Sequence, residues 1–200
     1  SIYGVFVNKK AVCAGYAKAT QYLMNLLGIE CTYITSDTHA WNLIKLEGDY
    51  YHLDTTWGDG SNTEQTHIQS ERIDYDCFCI TTEEVEKLGS HKATGTLPLP
   101  KCTATKCNYH IRNGLYIENY NLEMIRDIIF ENITANTLDI SFKCINQSVF
   151  ENVKQELIDK GKLQDVIQFV NLKSITKLKT EYRYSVKDER LIISFYFSKQ

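Results

Sequence analysis

The chain has 200 residues, 43% hydrophobic and 24% charged, a balance typical of globular protein and sufficient for one core or two. A formal net charge of -3 and a pI near 6.0 exclude a broad attraction to nucleic acid or anionic lipid. No apolar run approaches the roughly 20 residues that cross a bilayer, so no membrane span is expected.

In chain order, residues 13–27 predict a helix, because Tyr16, Ala19, Leu23 and Leu26 or Leu27 recur at helical spacing and Gly28 follows as a stop. Cys13 is thereby placed at a helix N-terminus. A sequence that starts at Ser1 and enters this pattern within about a dozen residues is expected to have lost an upstream segment. Residues 30–35 read as extended, and 39–46 and 50–54 as two strands joined through Glu47-Gly48-Asp49, with Gly48-Asp49 as the turn pair. Residues 58–69 are polar and read as a loop at the end of the second strand.

A strand over 76–80 is expected to point Cys77 and Cys79 to one side, and Thr81 or Thr82 to cap a short helix through Leu88. Residues 90–106 contain both prolines, Pro98 and Pro100, and read as a linker. Beyond it come a helix over 122–133, a strand over 138–142, and a helix opening at Ser148-Val149-Phe150-Glu151 as a capping box and stopping at Gly161. A hairpin of 182–186 and 191–197 follows, and the basic stretch 173–179 before it reads as a solvated edge. The fold class is α+β: a helix against an antiparallel sheet over 1–100, with a smaller α/β unit over 108–200.

The seven cysteines are odd in number, so at least one thiol is unpaired unless chains cross-link. Cys77 and Cys79, and Cys102 and Cys107 with His110 behind them, lack the two-residue spacing of zinc knuckles, and no metal is expected. Residues 54–59 lack a calcium-binding ligand series, and no cofactor is expected either.

Candidate chemistry lies in the first sixty residues. Only the thiolate attacks carbonyl carbon well, and a helix N-terminus together with an imidazolium stabilises it at Cys13. His39 precedes Ala40-Trp41-Asn42, and Asp54 precedes Thr55-Thr56-Trp57, so a histidine and an acid stand on paired strands. In that reading His39 takes the thiol proton and returns it to a leaving group, while Asp54 orients the imidazole. Tyr16, Trp41, Trp57 and Asp59 are candidates for the substrate cleft, and the two tryptophans are expected either to roof the site or to pack in the core. With a Gly48-Asp49 turn, Asp54 would face Leu43, four residues and roughly 13 Å along from His39. A bulge, a wider turn or strong twist is then required, or Asp37 or Asp59 takes the role.

The blocks Ala11-Val12-Cys13-Ala14-Gly15-Tyr16-Ala17, Gly28-Ile29-Glu30-Cys31, His39-Ala40-Trp41-Asn42 and Tyr51-His52-Leu53-Asp54-Thr55-Thr56-Trp57 resemble, in this order, the bacterial transglutaminase-like family. Residues 75–78 and on to His91 resemble the tail of its domain, so about half the chain is covered. The resemblance implies a papain-like core with Cys13, His39 and Asp54 at the three catalytic positions and thiol-dependent acyl transfer on protein or peptide amides. That covers peptidase, deamidase and transglutaminase chemistry, with hydrolysis favoured because nothing marks a strong exclusion of water. Trp57-Gly58-Asp59 carries one aspartate where the family often has two. The alternative is a catalytically silent binding or cell-surface module, which a Cys13–Cys31 disulfide would favour. An extracellular or cell-surface location is the expectation, and residues 108–200 have no identifiable partner.

Overall fold

A computed structural model describes residues 1–59, 73–95 and 98–200, so the loop reading for 58–69 falls largely outside the described residues. The chain divides into two units, Ser1–Tyr109 and His110–Gln200, each mixing helices and sheet.

In the first unit α1 (Ile2–Phe6) packs on α2 (Cys13–Leu26), and α2 packs on β1 (Cys31–Thr35) and β2 (Ala40–Leu46). With β3 (Asp49–Leu53) and β4 (Phe78–Ile80) these strands form one antiparallel sheet in the order β1-β2-β3-β4. The helix runs where its periodicity predicts, but of the predicted stripe it buries Ala19 and leaves the leucines outside. Gly15, Ala17, Ala19 and Thr20 face inward, while Leu26 and Leu27 are 65% and 72% exposed. Small residues let the helix come close to the sheet, where the Asn42 amide donates to the Ala17 carbonyl at 2.9 Å. Gly15 instead makes room for the segment before the helix, since a Cβ there would lie 2.7 Å from the Ala11 side chain and 3.2 Å from the Ser1 backbone.

The β2–β3 turn is Glu47-Gly48, with φ +52° and +89°, and it pairs Leu46 with Asp49. The Gly48-Asp49 turn expected from sequence is therefore corrected. The change moves the register by two residues, so the last pair is Asn42 with Leu53 and Asp54 leaves the ladder beside Trp41. Asp54 is then two residues rather than four from His39, about 7 Å at strand rise and within side-chain reach.

The two sheet faces bury separate clusters. Cys31, Ile44, Tyr51, Leu53, Cys79 and Cys107 pack with Met24 on one, and Ile34, Trp41, Leu43 and Cys102 on the other. Residues 90–106 are thus no linker where described, because Cys102 is buried against β2 and its carbonyl accepts from Thr82 N–H at 2.9 Å. Cys77 joins a third cluster with Ile80, Val85 and Leu88, so it does not share a side with Cys79. A left-handed φ of +59° at Cys79 breaks the strand alternation. Helix α3 (Thr82–Glu86) is closed by the Thr81–Glu84 capping box.

After α4 (Tyr109–Arg112), the second unit has a sheet in the order β5-β6-β8-β7: β5 (Tyr116–Ile117) parallel to β6 (Asp139–Cys144), then antiparallel β8 (Ile192–Tyr196) and β7 (Arg183–Lys187). Helix α5 (Leu122–Thr134) is capped by Asn121. The next helix, α6 (Gln147–Lys154), is capped by Asn146 rather than Ser148, and continues through a π-turn at Gln155–Asp159. Gly161, at φ +72°, separates it from α7 (Lys162–Lys173), which the sequence reading missed. Among the described residues no helix is long and apolar enough to cross a membrane.

Candidate functional site

Asp54 is the centre of the site. Its backbone N–H donates to the Cys77 carbonyl at 3.1 Å, where the β3–β4 pairing shifts register, and this turns the side chain out of the ladder. Oδ1 accepts the backbone N–H groups of Thr56 at 2.8 Å and Trp57 at 3.1 Å. Oδ2 lies 2.6 Å from His39 Nε2 and 2.8 Å from His91 Nε2. Burial alone would push this carboxyl up, but the hydrogen bonds from His39, His91 and Trp57, with the charge of His39, hold it well below the usual carboxylate range.

His39 stands just before β2, and its backbone N–H donates to Ser36 Oγ at 2.9 Å. The same hydroxyl donates to the Ser90 carbonyl at 2.6 Å, so one serine ties together the segments carrying both histidines. Thr94 N–H to the Thr35 carbonyl, 3.0 Å, fixes the second segment again.

Trp41 lies flat against the His39 ring, with centroids 6.3 Å apart, and Trp57 is tilted against it at 5.9 Å. Trp41 is fully buried and is therefore a floor beneath His39 rather than a roof. Its indole N–H donates to His52 Nδ1 at 3.1 Å, and His52 Nε2 donates to Thr82 Oγ1 at 3.2 Å. Burial, and then the nearby His91, lower the His52 pKa to about 4, so this ring is neutral near pH 7.

Cys13 is the first residue of α2 and half-exposed, and no side chain caps that helix end. Cys13 and Cys31 are not bridged to one another, and the six cysteines other than Cys13 are buried. Burial pushes the Cys31 thiol up to about 11 and the Cys144 thiol up to about 12, which keeps both protonated and unreactive. Cys13 is thus the accessible thiol of the chain.

Tyr16 and Thr20, on the same helix, hold it to the turn that follows Asp54. The Tyr16 hydroxyl donates to Asp59 Oδ2, and Thr20 and Thr55 share a hydroxyl hydrogen bond of 2.8 Å. The bond to Asp59, then burial and the Asp59 charge, push Tyr16 up to about 12. Asp59 is therefore spent on Tyr16 while Asp54 serves His39. Tyr16→Phe is expected to lower stability by about 1 kcal/mol, read by chemical denaturation, since one half-buried charge-assisted bond is lost without a cavity. A cavity of about 580 Å³ opens between these elements, with Tyr16, Asp54, Thr55, Asp59, Tyr75 and Phe78 in its walls. Of the residues assigned to the cleft from sequence, Tyr16 and Asp59 line it, whereas Trp41 and Trp57 pack around the histidines.

Among the described residues, the donor atoms grouped closely enough to hold a metal are those of His39, Asp54 and His91, all within 4.8 Å of one another. Their 2.6 and 2.8 Å contacts are hydrogen-bond lengths, shorter than the roughly 3.3 Å between neighbouring ligands around tetrahedral zinc. The set is a proton network in this geometry. Cys77, Cys79, Cys102 and Cys107 are spread over three clusters and form no such group.

His91 was not recognised from sequence as a site residue. It lies 37 positions from Asp54, in a stretch without helical or strand periodicity, and the resemblance at that point was its one signal. No protein-family model matches the chain, and a search of curated proteins finds no match either.

Proposed function

We propose that the first unit is a thiol-dependent acyl-transfer enzyme of transglutaminase-like, papain-like type, acting on protein or peptide amides. The observation that carries this reading is the 2.6 Å hydrogen bond between His39 Nε2 and Asp54. A carboxylate only accepts, so it holds the proton on Nε2 and leaves Nδ1 with its lone pair as the base.

In the mechanism, Nδ1 of His39 takes the Cys13 proton and the thiolate attacks the amide carbonyl carbon. The uncapped first turn of α2 supplies partial positive charge to the thiolate, and the Cys13 N–H is a donor for the developing oxyanion. The imidazolium then protonates the leaving nitrogen as the C–N bond breaks, producing a thioester on Cys13 and a free amine or ammonia. Water or a second amine attacks the thioester, His39 removes its proton, and the thiol is regenerated. Hydrolysis and amine transfer share the first half of this sequence.

The acyl-enzyme is the species to look for. Incubation with a mixed glutamine-containing peptide pool, acid quench and mass spectrometry are expected to show an acyl adduct on the peptide bearing Cys13. Hydroxylamine should remove it, and Cys13→Ala should never form it. Absence of an adduct across broad peptide and protein pools, with wild-type protein folded, would count against the proposal.

A further inference from the structure

His91 has no part in the Cys13–His39–Asp54 set, yet its side chain is 0% exposed and sits among the reacting groups. Its ring centroid is 4.6 Å from that of His39, 4.8 Å from Trp41 and 4.9 Å from Trp57. The Asp54 carboxylate therefore receives four donors: two backbone N–H groups on Oδ1 and two imidazoles on Oδ2. Because an ionised carboxylate offers only lone pairs, both rings must carry their proton at Nε2. The Nδ1 of His91 is then an acceptor, and the Ser90 hydroxyl lies 3.1 Å from it. Ser36, bonded to both segments, keeps the two rings in register.

We infer that His91 is a positioning residue that shares the Oδ2 atom of Asp54 with His39, fixing the His39 tautomer and dividing the carboxylate's charge so that His39 releases the proton it takes. This rests on the acyl-transfer reading above. The titratable groups that face His91 are Asp54, His39 and His52, and His52 is neutral. An undivided Asp54 charge would bind the His39 proton more tightly and favour the imidazolium–thiolate pair at lower pH. It would also slow proton delivery to the leaving group.

Two full-length variants separate hydrogen bonding from packing. His91→Phe keeps the ring between the tryptophans and loses the donor, whereas His91→Gln keeps an N–H directed at Oδ2. Cys13 alkylation at pH 5.5, taken relative to pH 8.5, is expected to rise about threefold or more in His91→Phe and to stay within about twofold of wild type in His91→Gln. Where wild-type Cys13 alkylates faster than an ordinary thiol, unchanged profiles in both variants, or equal shifts in both, would overturn the inference. Ring-nitrogen NMR in the Cys13→Ala protein reads the shared carboxylate without any acyl chemistry. Protons on Nε2 of both His39 and His91 are expected, and a His91 ring protonated only at Nδ1 overturns the inference by itself. If both Nε2 protons are present while wild-type Cys13 alkylates like an ordinary thiol, the shared carboxylate stands and the acyl-transfer reading fails.

Discussion

Asp54→Asn is expected to reduce acyl transfer by about 10³- to 10⁴-fold while the protein remains folded. The backbone N–H groups of Thr56 and Trp57 both point at Oδ1, so an asparagine must keep its carbonyl oxygen there. Its amide N–H₂ then occupies the place of Oδ2, facing the Nε2 atoms of His39 and His91. Each ring can answer only by moving its proton to Nδ1, and a His39 protonated at Nδ1 cannot accept the thiol proton. The loss thus arises from the wrong tautomer rather than from unfolding. Alkylation of Cys13 near pH 6 should fall about tenfold or more in the same variant. Wild-type alkylation in a folded Asp54→Asn protein would show that His39 is not oriented through Asp54.

Acidification from about pH 6.5 to about pH 4 is expected to cost the first unit on the order of 3 kcal/mol through His52 alone. In the native state Trp41 donates to His52 Nδ1 and His52 Nε2 donates to Thr82, so a second proton on the ring would meet the indole N–H head-on. Burial, and then the nearby His91, bring the His52 pKa from 6.5 to about 4 on folding. The unfolded chain binds more protons than the native one throughout that interval. The contribution of His52 is complete above about 6.5, declines as the pH falls, and is gone below about 4. Both tryptophans of the chain, Trp41 and Trp57, belong to this unit, so urea unfolding followed by tryptophan fluorescence reports on it selectively. His52→Gln, which supplies a donor and an acceptor without titrating, should flatten this part of the stability profile. A wild-type profile already flat between pH 6.5 and 4 would contradict the assignment.

Asp54 acts in a separate window. Its carboxyl is held low in the native state, so its contribution is present above the ordinary carboxylate range and is lost at more acid pH.

The parts of the site legible in sequence were those set by local rules. Helix α2 was bounded by its own periodicity and by Gly28, and the hairpin carrying His39 and Asp54 was marked by its turn residues. Its register was not, because Glu47-Gly48 and Gly48-Asp49 are both plausible turn pairs. Only the left-handed backbone at Glu47 distinguishes them, and that choice decides whether Asp54 reaches His39. Of the inward face of α2 only Ala19 was legible, because Ala17 and Gly15 carry little apolar weight, while Leu26 and Leu27 carry much and lie outside. Residues 90–106 looked like a linker by their prolines and lysines, yet His91 and Cys102 are anchored by contacts from β2 and from Asp54. In the second unit Asn146 outcompeted Ser148 as the cap of α6, a choice between two good capping residues two positions apart.

Alkylation by iodoacetamide across pH, with the modified peptide mapped in wild type, Cys13→Ala and His39→Ala, reads the coupling of Cys13 to His39 directly. Rapid, selective modification of Cys13 below pH 7 that slows when His39 is removed is the predicted result. Modification of Cys13 no faster than an ordinary thiol, and indifferent to His39, would rule out an activated Cys13–His39 pair and favour a silent binding module in its place.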